Sequence, residues 1–277
     1  MRQLVLLPLL VGGFTACSIE APEGRVGIYG RSADSGVPTP EVPLLFLTMR
    51  IRDFKHYDPK DPSTNPDFDE PTPPGATSIS EKGVVASVLG SDGTPVYMSP
   101  PGGVGTNGKA YFDQWYHDVP GTNYLVIYPL PISRASDGTY EYDSRKSGQA
   151  DTYLGMARRV FFPIDDGTPY ATPFGNQGAP HNQAFTGELH TTFTSGPSGG
   201  TVRLLSDDDS YLFIDGMLVI DNGGAHAASE VDISVDDLRL AQGQEHSLDL
   251  FYAERRGATG QLMLSTPFEL NEAAPIP

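Results

Sequence analysis

Between residues 44 and 54 apolar and polar side chains alternate: Leu47, Met49 and Ile51 interleave with Thr48, Arg50 and Arg52. A period of two sends successive side chains to opposite faces, so this stretch predicts a strand with one buried face. The same reading predicts strands at 94–98, 124–132, 139–142, 159–164, 184–194, 201–205, 210–214, 217–220, 230–234, 246–254 and 261–265. Asp-Gly pairs at 92–93, 137–138, 166–167 and 215–216 supply turns. Two stretches carry a helical period instead. Residues 80–89 read as a short amphipathic helix ending at Gly90. Residues 109–117 read as another, with Phe112, Trp115 and Tyr116 sharing one face as core. Residues 235–240 read as a single helical turn or an irregular link, and the prolines from Pro59 to Pro74 mark a loop. Strands and helices do not alternate, which argues against a parallel α/β fold. The prediction is an all-β antiparallel sandwich or barrel. An N-terminal elaboration, about 44–159, carries two short helices.

Composition adds three constraints. The 277 residues allow one large β domain or two small ones, and 31 Gly with 25 Pro favour many turns. Eighteen Lys+Arg against 35 Asp+Glu give a formal charge of -17, which disfavours nucleic acid and anionic lipid and suits divalent cations. The N-terminus supplies the third. Arg2 precedes an apolar run from Leu4 to Phe14 that is too short to cross a bilayer as a mature helix, and Thr15-Ala16 leads into Cys17. This resembles a bacterial lipobox, with Phe14 departing from its usual aliphatic residue. The resemblance implies a signal over residues 1–17, lipidation at Cys17 and a membrane-anchored protein of the bacterial outer membrane or cell surface. The alternative is an ordinary secretory signal and a periplasmic or secreted protein. Residues 18–43 then read as a tether, and no other Cys remains for a disulfide.

The densest chemistry is Asp207-Asp208-Asp209, set between apolar runs. Adjacent carboxylates repel, so either they face water at a loop or a cation neutralises them. Other chemistries find little support. The six His residues have no zinc spacing, there is no Gly-x-Ser-x-Gly elbow, and residues 58–70 lack the EF-hand pattern. Glu254-Arg255-Arg256 reads as an internal ion-pair or hydrogen-bond set.

Several motifs resemble the fibro-slime family: Met49-Arg-Ile-Arg-Asp-Phe54, Phe112-Asp-Gln-Trp-Tyr116, Val160-Phe-Phe-Pro163, His181-Asn182 and Phe251-Tyr-Ala-Glu-Arg-Arg256. The resemblance spans about 44–270, leaving 271–277 as a tail. Within it, about 160–268 is similar to the protective-antigen-type (PA14) β-sandwich, through Ser206-Asp207-Asp208, Leu212-Phe-Ile-Asp-Gly216 and Leu218-Val-Ile-Asp-Asn222. What this resemblance implies is a Ca²⁺ ion held by Asp207 and Asp208, with sugar hydroxyls binding the ion. Calcium takes about 6–8 oxygen ligands. Asp209, Asp221, Asn222, His226 and Glu254 are therefore further candidates, although a strand-ending turn explains Asp221 and Asn222 as well. The expected function is a non-enzymatic, calcium-dependent carbohydrate-binding or adhesion module. The alternatives are a structural matrix or envelope protein with a protein partner, and a polysaccharide-acting enzyme.

Overall fold

The computed structural model describes residues 45–68, 80–98, 105–151, 158–196, 198–255, 257 and 259–271. Cys17, the expected signal and the expected tether lie outside them.

Ten strands form one antiparallel array. β1 (Leu45–Phe54) pairs with β2 (Asn123–Arg134) on one side and β6 (Phe185–Thr194) on the other. Beyond β6 come β11 (Glu245–Glu254), β8 (Ser210–Ile214) and β9 (Met217–Asn222). Beyond β2 come β3 (Tyr140–Asp143), β12 (Leu262–Thr266), β7 (Thr201–Ser206) and β10 (Ser229–Ser234). β2 joins the halves: its first ten residues pair with β1, and Ser133 and Arg134 pair with β3. Strand twist accumulates across such an array and curls it into a barrel-like sandwich. A two-stranded ribbon, β4 (Gln149–Asp151) with β5 (Arg158–Val160), stands apart. The three helices among the described residues are single turns: α1 (Lys109–Phe112), α2 (Ser144–Ser147) and α3 (Val235–Leu238).

The alternation read from the sequence becomes two cores on opposite faces of shared strands. Leu47, Met49 and Ile51 of β1, Leu212 and Ile214 of β8, and Leu248, Leu250 and Tyr252 of β11 point into the sandwich, where they meet Val202, Leu204, Leu262 and Leu264. The intervening residues Tyr211, Phe213, Phe251 and Ala253 point outward, yet they are also buried. A long excursion between β1 and β2 covers them. It contributes Phe68, Val84, Val85, Phe112, Trp115 and Tyr116. Phe68 stacks on Phe54 at 4.1 Å between centroids, and Tyr116 meets Phe251 edge-on at 4.9 Å. β1 and β2 lie well inside the sheet, so the N-terminal elaboration is this excursion rather than everything from residue 44.

Four local expectations change. The strand expected at 94–98 is reduced to a single bridge, Tyr97 with Val85. Residues 80–89 are not helical: a turn at 82–83 leads into bridged backbone from Val85 to Val88. Val85 bridges Tyr97, Val88 bridges Met217, and Leu218 N donates to Ser87 O at 2.9 Å. Unpaired groups along β9 and the β-branched Val84, Val85 and Val88 outweigh a weak helical period. The helix at 109–117 shrinks to α1, while Phe112, Trp115 and Tyr116 keep the buried placement their spacing predicts. The strand at 159–164 stops at Val160, and Phe161 and Phe162 continue into the core without ladder pairing. The Asp215-Gly216 hairpin turn is as expected: φ is 49° and 71°, the paired positive values of a tight two-residue turn.

Candidate functional site

Asp207, Asp208 and Asp209 form the connection from β7 to β8. None of them faces water: they are 3%, 2% and 0% exposed. Burial removes the solvated-loop reading and leaves the question of what balances each carboxylate.

Asp209 has a resident counter-ion. Arg255, just past the end of β11, donates Nε to Asp209 Oδ2 at 2.7 Å, and its Nη2 forms an ion pair with the same oxygen at 2.6 Å. The other oxygen receives Tyr211 Oη at 2.9 Å and Gly224 N at 2.7 Å. Asp209 is therefore held by the protein's own donors, and it faces the outer core rather than a ligand.

Asp207 and Asp208 differ from it. Asp207 Oδ2 accepts Thr259 Oγ1 at 2.5 Å, its Oδ1 accepts Gln261 N at 2.7 Å, and its carbonyl accepts His226 N at 2.8 Å. Asp208 Oδ2 accepts the backbone N of Arg255 at 2.7 Å. Burial pushes both carboxyls above the usual carboxylate range, and Asp208 is driven up further by Asp207 beside it, against the pull of Arg255. Two adjacent carboxylates held in this state are costly when ionised. A divalent cation offsets that cost, and oxygen-only donors are the chemistry calcium prefers. Asp207, Asp208 and the Thr259 hydroxyl suit such an ion. Among the described residues, no group of three or more His, Cys, Asp and Glu side chains is arranged as a metal centre. Calcium would therefore draw its remaining ligands from carbonyls, hydroxyls and water.

The other candidates occupy structural positions around the turn. Asn222 Nδ2 donates to Ser206 Oγ at 2.9 Å and to Ser229 O at 3.1 Å, tying β9 to β7 and β10. Asp221 receives Gly83 N at 2.7 Å and Gly223 N at 3.2 Å, and burial raises its carboxyl. The ring of His226 contacts the carbonyl oxygens of Ala227 and Asn222 at 2.9 and 3.3 Å. Glu254 is fully buried and accepts Tyr252 Oη at 2.5 Å.

The residue-type reading missed Thr259 and Gln261, which reach the turn from the β11–β12 connection. Nothing in a lone Thr or Gln marks such a role. It also missed a second polar cluster under the 161–184 loops. There Asp53, at the end of β1, receives Asn182 Nδ2 at 2.9 Å and the Thr172 hydroxyl. Beside it His181 Nδ1 meets Asp165 Oδ2 at 2.7 Å, and its ring stacks on Phe162 at 4.1 Å. A cavity of about 410 Å³ lies elsewhere, between the 90–96 turn and α1, lined by Asp92, Lys109, Asp113 and His117 among others.

Residues 139–272 match the family model of the PA14 domain. The chain is 36% identical over 195 residues to protein psiD of Dictyostelium discoideum, covering 67% of this chain and 36% of psiD. It is 33% identical over 227 residues to psiC of the same organism, covering 77% of this chain and 40% of psiC. The chain thus spans well under half the length of these relatives. A solved PA14 sugar-binding domain from an RTX adhesin aligns over 81% of this chain and 95% of that one, at 8% identity and a TM-score of 0.29. The relatives correct one expectation. Dictyostelium is a eukaryote, so its proteins point against a bacterial outer-membrane lipoprotein, and that placement is withdrawn.

Proposed function

We propose that this protein is a non-enzymatic, calcium-dependent carbohydrate-binding module of adhesion type, with Asp207 and Asp208 holding the ion. One observation carries the reading: two adjacent, fully buried carboxylates sit at a strand connection inside the segment that matches the PA14 domain. The fibro-slime resemblance of the wider chain agrees with it. The ion would supply a positive centre to which vicinal sugar hydroxyls bind. The protein's own part is to aim the carboxylates, through Thr259, Gln261 and the Arg255 backbone, and to keep Asp209 occupied by Arg255.

The test is calcium calorimetry on the wild type and on Asp207→Asn/Asp208→Asn, followed by a glycan array with calcium and with chelator. Heat in the wild type alone, with array signal lost to chelator, is the expected result. Equal heats in both proteins, or none in either, sink the ion site. Calcium binding without any chelator-sensitive glycan signal sinks the carbohydrate half. A second reading is a structural role with a protein partner. Val88, Val96, Met98 and Met217 favour it, because all four are exposed on the extended 84–98 ribbon and the adjoining start of β9. It predicts calcium-independent capture of a protein and a silent array.

A further inference from the structure

Arg255 belongs to two regions at once. Toward the acidic turn, its guanidinium pairs with Asp209 Oδ2 through Nε and Nη2, of which Nε donates a hydrogen bond, and its backbone N holds Asp208. Toward the excursion, the same guanidinium lies 5.0 Å over the Trp115 ring, and Nη1 donates to the carbonyl of Gly105. Trp115 is fixed in turn. Its Nε1 donates to Asp67 Oδ2 at 3.0 Å, and Asp67 Oδ1 accepts Asn107 N and Nδ2 at 2.6 and 2.9 Å. A parallel seam runs through the β9–β10 connection. Glu81 N donates to Gly223 O at 2.8 Å and Gly83 N to Asp221 Oδ2 at 2.7 Å, while the next residue, Gly224, donates its N to Asp209 Oδ1 at 2.7 Å.

The excursion and the acidic turn therefore share one buried cation and one stretch of backbone. The turn cannot move Asp208 without moving the Arg255 backbone, and Arg255 cannot move without disturbing Trp115 and Gly105. We propose that excursion docking and cation binding at Asp207–Asp208 are thermodynamically linked through Arg255, each strengthening the other. Arg255 is a positioning residue here: it does not touch the ion and acts through Asp208 and Asp209. The inference rests on the cation reading of the previous subsection. Its content is separate, because an ion could bind the pair without any effect on residues 80–118. Linkage is reciprocal: whatever factor the docked excursion adds to cation affinity, the cation returns to the excursion.

The experiment uses the full chain, with calcium as the probe. Calcium is titrated by calorimetry into the wild type, Arg255→Lys and Trp115→Phe. Amide hydrogen exchange is followed across 80–98 and 105–118, with and without about 10 mM calcium, an excess over the ~10⁻⁴–10⁻³ M range of extracellular calcium modules. The expected result in the wild type is slower exchange in both segments on adding calcium. Both variants should bind calcium about fivefold or more weakly, the lower end of typical couplings, and lose the calcium-dependent protection. Arg255→Lys keeps the charge but loses the planar guanidinium that reaches Asp209, Gly105 and the Trp115 ring together. Trp115→Phe keeps an aromatic ring and substitutes no residue of the acidic turn, so it decides the matter if the lysine variant does not fold. Calcium binding in the wild type with unchanged exchange and equal affinity in Trp115→Phe overturns the linkage and leaves the ion site standing. No calcium heat in the wild type overturns the ion site and the linkage together.

Discussion

The two faces of the β1–β6–β11–β8 strands are built differently. The inner face is apolar: Leu47, Met49, Leu212, Leu248 and Leu250 meet aliphatic and aromatic partners from the opposing strands. The outer face has comparable aromatic burial, but charge runs through it. Arg255 with Asp209 and Asp67 with Trp115 lie among Phe112, Tyr211 and Phe251. Beside them Arg52 pairs with Glu188 at 3.2 Å and with Asp118 at 2.8 Å, and Arg50 reaches Glu188 at 2.9 Å. Apolar contacts need only volume and shape, so many sequences satisfy the inner face. A buried ion pair tolerates one arrangement, and breaking half of it strands a charge. The inner face therefore supplies stability, while the outer face fixes where the excursion sits relative to the acidic turn.

The sharpest way to break this contrast is to remove one charge. Asp209→Ala leaves Arg255 buried without its partner and should cost about 3–5 kcal/mol, read by urea unfolding. Adding Arg255→Met to it should recover much of that loss, and a double-mutant cycle that shows simple additivity would deny that the two act as a pair. On the inner face Leu250→Ala should cost roughly 2–5 kcal/mol through the cavity it leaves. Here no second substitution of a charged partner should rescue it.

A smaller effect, read by pH, belongs to the polar cluster under the 161–184 loops. Burial pushes the Asp53 carboxyl up to about 7, against hydrogen bonds from Thr172 and Asn182 that favour its ionised form. The folded state then holds this proton more tightly than the unfolded chain does. The stabilisation from Asp53 is full below the ordinary carboxylate range and is lost as pH rises through about 7. Unfolding free energy measured from pH 5 to 8 should fall with a shallower slope in Asp53→Asn than in the wild type. Identical slopes would show that Asp53 is already ionised. The smallest effect belongs to the exposed pair Lys109–Asp113, bonded at 2.7 Å on the surface. Lys109→Ala should change stability by less than about 1 kcal/mol, and thermal melts at low and high salt should agree.

The inner face was readable from the chain because a period of two is a local property. β8 matched its expected bounds of 210 and 214, and the Asp215-Gly216 turn fixed its partner. The outer face was only half readable. Aromatic spacing placed Phe112, Trp115 and Tyr116 in a core, but nothing local said which core. The 80–89 segment was misread because its conformation is decided by β9, more than a hundred residues away. The acidic turn was visible as a run of like charges. Its division into a salt-bridged Asp209 and an adjoining Asp207–Asp208 pair was not, because Arg255, Thr259 and Gln261 reach it only through the fold.

The 84–89 segment has a further consequence where it lies along β9. That strand ends the ten-stranded array, and an end strand offers its peptide groups to any extended chain nearby. Here Leu218 N and Gly216 O are already engaged by Ser87 and Leu89. A tethered guest supplied by the same polypeptide fills the place that a neighbouring molecule's strand would take, so strand-to-strand polymerisation at that margin first requires the chain to let go of itself.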